Sequence, residues 1–317
     1  MIYLLSLLLG FIPLIFGANL LVDSASSLAK RFNIPGIVIG LTIVAFGTSS
    51  PEMIVNIFAS INNNPDIVSG NIIGSNIFNI LGILGISAVI YPLAVKTNTT
   101  WIEVPLCLLS SVAVLIVSND IFIDHLNASM ISRTDGMILL LFFMIFIVYN
   151  IQMMKHGSFN EEIAVKNYSL FKIIIFIIFS LILIVSGARI IVFSSVRFAR
   201  FINVPERIIA LTIISIGTSL PELATSVVAA KKKNVDIAIG NIVGSNIFNV
   251  FFILGLSAVI APIPLRKISN FDMLVNLIAS VLLFTFIFTG KGRKIEQWEG
   301  IIFILLYLLY VTTLILI

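Results

Sequence analysis

The segment LTIVAFGTSSPE at residues 41–52 returns as LTIISIGTSLPE at 211–222, and GNIIGSNIFNILGILGISAVI at 70–90 returns as GNIVGSNIFNVFFILGLSAVI at 240–260. The two pairs share one offset, and setting 41–90 against 211–260 without a gap gives 28 identities in 50 positions. The register reaches upstream, because Gly17-Ala18 matches Gly187-Ala188 and Asn33-Ile34-Pro35 matches Asn203-Val204-Pro205. Two homologous halves are therefore built into one chain, and whatever one half folds into, the other must fold into as well.

What each half is made of follows from composition. Of 317 residues, 59% are hydrophobic and 11% charged, and the mean hydropathy is +1.15. No water-soluble domain of this length has such a balance, so the chain reads as a polytopic membrane protein. With spans of about 20 residues in mind, ten apolar segments stand out, near 3–29, 36–60, 68–91, 101–118, 134–154, 170–198, 206–230, 238–261, 271–289 and 298–316. The start lacks the basic flank and cleavage site of a secretory signal and reads as a retained span. The second, third, seventh and eighth segments are interrupted by Gly, Pro, Ser and Asn. The fold class expected is an all-α polytopic membrane protein of ten transmembrane helices. Residues 1–155 form a first five-helix repeat, 156–169 a cytoplasmic linker and 170–317 a second repeat. Five is odd, so the second repeat enters the membrane from the opposite face and the halves are inverted. Secondary transporters are built in this way, with a site near the midplane where the repeats meet. Channels can be as well.

The loops after odd-numbered spans hold twelve basic residues (Lys30, Arg31, Lys96, Lys155, Lys166, Lys172, Lys231, Lys232, Lys233, Lys291, Arg293 and Lys294). The other side holds six, Arg133, Arg197, Arg200, Arg207, Arg266 and Lys267. This bias predicts a multi-pass protein of the cytoplasmic membrane with both termini outside. The basic residues form no stripe, so nucleic acid is not an expected partner; the lipid bilayer is, and no obligatory protein partner is evident. The lone Cys107 excludes an intrachain disulfide and a cysteine-based metal site and reads as a small apolar side chain.

Glu52 and Glu222 alone among the fifteen acids are both deep within spans and duplicated by the repeat. An isolated acid at that depth costs roughly 2.5–3.5 kcal/mol on insertion scales, and two that face one another repel unless a cation or proton lies between them. Pro51 and Pro221 carry no amide hydrogen, so the carbonyls of Gly47 and Gly217 lose their helical partners. Thr48 and Thr218 each lie four residues before a glutamate, on the same helix face. Asn71, Ser75 and Asn79, with Asn241, Ser245 and Asn249, recur at i, i+4 and i+8 and make a polar stripe in each half. Gly70, Gly74, Gly240 and Gly244 let a neighbouring helix approach closely. The donor set is oxygen alone, with no His, Cys or Met, which suits Ca²⁺, Na⁺ or Mg²⁺, the last a poorer fit because it holds its water tightly, and disfavours Zn²⁺ or Cu⁺. Asn76 and Ser87 read as packing residues, His125 and His156 as solvated loop residues, and Arg189, which aligns with Asn19, as a snorkelling or structurally paired side chain.

With these motifs, GTSSPE with GNIIGSNIFN and GTSLPE with GNIVGSNIFN, the chain resembles the sodium/calcium exchanger family of the cation/calcium antiporter superfamily, in its compact prokaryotic form. The resemblance covers the whole chain. It implies that Glu52 and Glu222 are shared calcium ligands, with Thr48, Thr218 and the carbonyls of Ala45 and Ser215 completing that site. Ser49, Ser75, Ser219 and Ser245 would help form flanking sodium sites, and Asn79 and Asn249 match the central polar pair. Some prokaryotic members carry aspartate at the position of Asn249. The proton/calcium branch carries a further acid after the first motif, where Asn71, Ser75 and Asn79 offer none, and this favours sodium as the coupling ion.

The expected activity is secondary active antiport of Na⁺ against Ca²⁺ by alternating access, electrogenic and directed to calcium extrusion, with the long first and sixth spans sliding against the rest as the resemblance implies. No enzymatic activity and no cofactor are expected, Ca²⁺ and Na⁺ being transported substrates. A proton/cation antiporter and a cation channel are the alternatives.

Overall fold

The computed structural model describes residues 2–123, 125, 128–157, 165–202, 215–265, 269–289 and 292–316. Helices account for nearly all of it. In chain order they are α1 (Ile2–Phe32), α2 (Gly36–Thr48), α3 (Ser50–Ile61), α4 (Pro65–Ile90), α5 (Thr99–Val117), a short α6 (Asp120–Ile123), α7 (Arg133–His156) and α8 (Leu170–Phe201). After a gap come α9 (Ser215–Thr218), α10 (Leu220–Lys231), α11 (Val235–Ile260), α12 (Ser269–Phe286) and α13 (Gln297–Leu316). Among the described residues seven helices are long and apolar enough to cross a membrane, or eight if α2 and α3, bent by 49°, count as one span, and α12 is a shorter apolar helix. Arg207, Arg266, Lys267 and Lys291, and the expected match of Asn203-Val204-Pro205 to the first half, lie outside the described residues.

The molecule is apolar outside, and within it an apolar core is accompanied by many buried polar side chains. Leu5, Leu8, Ile12 and Phe16 on α1, Leu141, Met144 and Ile145 on α7, and Ile174, Ile178 and Ile182 on α8 are exposed. In water such faces would drive aggregation; against lipid they are matched to the solvent. The helix starts are specified locally. Ser132 caps α7 reciprocally, its Oγ accepting from Asp135 N at 3.2 Å while Asp135 Oδ2 accepts from Ser132 N at 2.7 Å. In the same way Asn234 Oδ1 accepts from Ile237 N at the start of α11.

α4 and α11 sit at the centre, almost wholly buried. Both run through their Gly and Asn residues without a break, contrary to the interruption expected there. The chain instead widens into π-helical turns at Phe78–Leu84 and Phe248–Leu254, which accommodate the polar side chains without losing the backbone bonds that lipid cannot replace. Glycines set the closest helix approaches. A Cβ on Gly240 would lie 2.8 Å from Ile37 O, and one on Gly244 would lie 2.8 Å from Leu41 O, so α11 rests directly on α2. The equivalent partners of Gly70 and Gly74 fall in 206–214, outside the described residues. α1 and α8 lie along one another at the periphery, where a Cβ on Gly17 would reach 2.9 Å from Ser180 O and one on Gly187 2.8 Å from Gly10 O.

Two small antiparallel ribbons tie the first half to the second. β1 (Leu93–Ala94) pairs with β4 (Lys294–Ile295), and β2 (Met130–Ile131) pairs with β3 (Ile263–Pro264). α5, 19 residues long and so about 28 Å from end to end at 1.5 Å per residue, separates β1 from β2. The ribbons therefore lie at opposite ends of the bundle. By the register of the repeat Leu93 answers to Ile263, which makes β3 the equivalent of β1, yet β3 lies at the end where β2 is.

Candidate functional site

The repeated motif folds in both halves as a helix, a break at one serine, and a second helix with proline in its first turn. Ser49 (φ −81°, ψ 6°) and Ser219 (φ −90°, ψ 8°) are those breaks, both in the sparsely populated bridge region where site residues recur. Because Pro51 and Pro221 open α3 and α10, the glutamates follow in the first turn, near the positive helix end. Each break aims its serine across to the opposite half. Ser49 Oγ donates to Glu222 Oε1 at 2.7 Å, and Ser219 Oγ donates to Glu52 Oε1 at 3.1 Å. Ser245 Oγ lies 3.0 Å from Ser49 Oγ.

A second reciprocal arrangement lies one helical turn away. Asn79 Nδ2 donates to Asn246 Oδ1 at 2.9 Å, and Asn249 Nδ2 donates to Asn76 Oδ1 at 3.0 Å. Asn76 Nδ2 and Asn246 Nδ2 donate to each other's backbone carbonyls at 3.3 and 3.4 Å. This quartet turns the oxygens of Asn79 and Asn249 away from their amide partners. Glu52 Oε2, Glu222 Oε2, Asn79 Oδ1 and Asn249 Oδ1 are all buried without a hydrogen-bond partner, as is Ser75 Oγ. Orphaned buried oxygens cost about 1–3 kcal/mol each, more for charged groups, and oxygens of this kind are satisfied by water or by a cation. Oxygen donors of this kind, two anionic and the rest neutral, fit Ca²⁺ or Na⁺.

The outer hydroxyls complete the arrangement. Thr48 Oγ1 donates to Asn241 Oδ1 at 3.0 Å, and Thr218 Oγ1 accepts from Asn71 Nδ2 at 3.2 Å. Thr48 and Asn241 are fully buried, whereas Thr218 and Asn71 are partly exposed. The carbonyl of Ala45 accepts from Ser49 N at 2.9 Å and from Thr48 Oγ1 at 3.3 Å. In the second half Ser219 N turns to Ile216 O at 3.1 Å instead; only the backbone of Ser215 is described.

Ser49 is thus brought to Glu222 and Ser245, Ser219 to Glu52, Thr48 to Asn241 and Thr218 to Asn71, while Asn79 and Asn249 join α4 to α11. Asn76 and Asn246, the first of which read from sequence as packing, belong to the same network, and their equivalence under the repeat was the signal that could have included them. Among the described residues, Arg189, His125 and His156 make no hydrogen bond to it. Cys107 is fully buried on α5, Arg189 is exposed on α8, and His125 and His156 are exposed.

Comparison with known proteins agrees with this geometry. The family described as sodium/calcium exchanger protein matches residues 2–152 and again 172–316. The putative antiporter CaxA of Alkalimonas amylolytica is 33% identical over 312 residues, 96% of this chain and 95% of that protein. The sodium/calcium exchanger MaX1 of Methanosarcina acetivorans is 32% identical over 345 residues, 98% of this chain and 97% of its own. A solved structure of the sodium-calcium exchanger NCX_Mj, from a soak in Na⁺ and Ca²⁺, superposes with a TM-score of 0.83 at 33% identity, covering 98% of both chains. A helical bundle with an apolar surface, a duplicated glutamate motif and these full-length likenesses together make the chain a member of the sodium/calcium exchanger family.

Proposed function

We infer that this protein is an antiporter that exchanges Na⁺ for Ca²⁺ across the membrane. The observation that carries the reading is the set of buried, unpartnered oxygens contributed symmetrically by the two halves, Glu52 and Glu222 supplying its two anionic groups. Both ions compete for the same carboxylates, so loading one displaces the other, and the empty site holds two uncompensated charges that oppose crossing. Glu52, Glu222, Thr48, Thr218 and the carbonyls of Ala45 and Ser215 would hold calcium. Ser49, Ser75, Ser219, Ser245, Asn79 and Asn249 would extend the oxygen set to sodium.

The architecture proposed is ten spans in two inverted five-helix repeats, 1–155 and 170–317, joined by a cytoplasmic linker at 156–169. Ribbon pairing supports this, since strands that are repeat equivalents lie at opposite ends of the bundle. The basic bias places β1 and β4 at the cytoplasmic face of the cell membrane and both termini outside. Ion pairs on that face fit the assignment, with Lys96 2.6 Å from Asp236 and both Lys232 and Lys166 within 2.8 Å of Asp23. α1 and α8, close to one another through Gly10, Gly17 and Gly187, are the pair suited to slide over the core.

The test is ⁴⁵Ca²⁺ uptake into sodium-loaded proteoliposomes. Uptake that requires internal Na⁺ and stops when the gradient is removed is expected. Uptake indifferent to Na⁺ but driven by a pH gradient would instead make it a proton/calcium antiporter.

A further inference from the structure

The turn KKKNVD at 231–236, between α10 and α11, lies at the β1–β4 end of the bundle and reaches in two directions. Towards the core it is held by Lys96, just past β1, whose Nζ lies 2.6 Å from Asp236 Oδ2, and by Lys233, which lies over the Tyr91 ring at the end of α4. Towards α1, Lys232 Nζ donates to Asp23 Oδ1 at 2.6 Å and to Asn19 O at 3.0 Å. Asn234 Nδ2 donates to Ser26 Oγ at 2.7 Å while its Oδ1 caps α11. The second oxygen of Asp23 points elsewhere. It lies 2.8 Å from Lys166 Nζ, just ahead of α8, and nearby Tyr168 N donates to Ser27 Oγ at 3.2 Å. One carboxylate thus joins α1 to the start of α8 through Oδ2 and to the core through Oδ1.

The repeat places different chemistry at the opposite end. Asp23 answers to Phe193, Ser26 to Val196 and Lys232 to Asn62. Phe193 is exposed and carries Arg197 of its own helix 4.8 Å from the ring centre, and Asn62 Nδ2 donates to Phe58 O within its own half. A phenyl ring and an amide form no ion pair, so the repeat does not reproduce the tie. With α1 docked on the turn, Thr48 and Asn241 are fully buried, whereas Thr218 and Asn71 are partly exposed. Asn71 lies near the start of α4, whose Pro65 shares a small cavity with Ile263 of β3. We propose that Asp23 is a positioning residue for exchange: its bond to Lys232 holds the α1–α8 pair docked at the β1–β4 end and breaks whenever the site opens there, while its bond to Lys166 keeps the pair together as it moves. This deepens the exchanger reading and rests on it for the purpose of the movement. Both bonds of Asp23 go to lysines, so it sets which face the ion site serves and leaves the oxygens of that site alone.

The test separates the two oxygens of Asp23 by changing one lysine at a time. Spin labels are placed on cysteines at 30, on α1, and at 98, beside β1, both exposed positions. The distance distribution of the purified protein is read by pulsed electron resonance in the absence of Na⁺ and Ca²⁺. One docked distance dominates in the otherwise unsubstituted protein. Lys232→Gln raises the undocked fraction about threefold, the scale of a partly exposed ion pair. Lys232→Arg restores the docked distance, and Lys166→Gln leaves the undocked fraction unchanged. In vesicles carrying Lys232→Gln, half-saturating Ca²⁺ presented at the β1–β4 face also falls about threefold, because apparent affinity follows the competent fraction, and at the opposite face it stays within about twofold. A merely structural role would lower heat stability in both glutamine variants and move neither the distances nor the sided half-saturation. That result overturns the proposal, and so does an equal rise of the undocked fraction in Lys166→Gln. If the unsubstituted protein shows no sodium-driven calcium flux, the exchanger reading fails, while the distance distributions still decide the role of Asp23.

Discussion

A glutamate at membrane depth is tolerable only if something neutralises or solvates it, and here each glutamate receives one hydroxyl from the opposite half and leaves one oxygen bare. Replacing Glu52 or Glu222 by Gln removes half the fixed charge that balances a divalent ion while keeping shape and one hydrogen-bond acceptor. We expect each variant to fold, because like-charge repulsion is relieved, and to lose sodium-driven ⁴⁵Ca²⁺ uptake by at least ~100-fold, the equivalent of about 3 kcal/mol for breaking a buried ionic contact. Uptake within tenfold of the unsubstituted protein would remove these residues from the site. Duplication is what made this pair legible in the sequence, since Thr48, Ser49, Glu52, Ser75 and Asn79 all have twins in the second half. Asp23 has none, so repeat logic passed over it. Asn76 and Asn246 are twins, but an amide in a Gly-rich helix looks the same whether it packs or orients a neighbour, and only its partners across the interface tell the two apart.

Most elements were legible in advance, because hydropathy reports a helix that faces lipid on one side. The expected 134–154 and 170–198 became α7 (Arg133–His156) and α8 (Leu170–Phe201). Less legible were the π-helical turns of α4 and α11, which arise from packing two polar stripes against one another, a tertiary demand. The ribbons were invisible, since two-residue strands have no period to detect. They supply the sharpest element-level test. Ala94 is the register partner of Lys294, and Met130 that of Pro264. Cysteines placed at 94 and 294, or at 130 and 264, should cross-link in the folded protein, and a single cysteine at 94 should react only from the cytoplasm and one at 130 only from outside. Cys107 is fully buried and should stay silent. Labelling of both single cysteines from one side would contradict the inverted arrangement.

At the scale of the whole molecule, each half contributes one buried carboxylate to the interface, and the count of ions that balance an ionised pair decides whether exchange responds to voltage. Calcium bound between Glu52 and Glu222 would neutralise them, and so would two sodium ions; a third sodium would leave the loaded site at +1. Asn79, Asn249 and Ser75 carry further unpartnered buried oxygens, more than a single calcium site beside the two carboxylates would need. Three-for-one exchange is therefore the expected stoichiometry, and one net charge crosses per cycle. Each elementary charge gains about 2.3 kcal/mol per 100 mV, close to a 50-fold change in the transmembrane equilibrium. When sodium-loaded vesicles take up calcium, three charges leave as two enter, so an inside-positive potential should accelerate uptake and an inside-negative one should retard it. Clamping the potential at zero with K⁺ and valinomycin gives the reference rate. A rate unmoved by potential in either direction would establish neutral two-for-one exchange, with the additional oxygens then serving hydration of the pathway and no third ion.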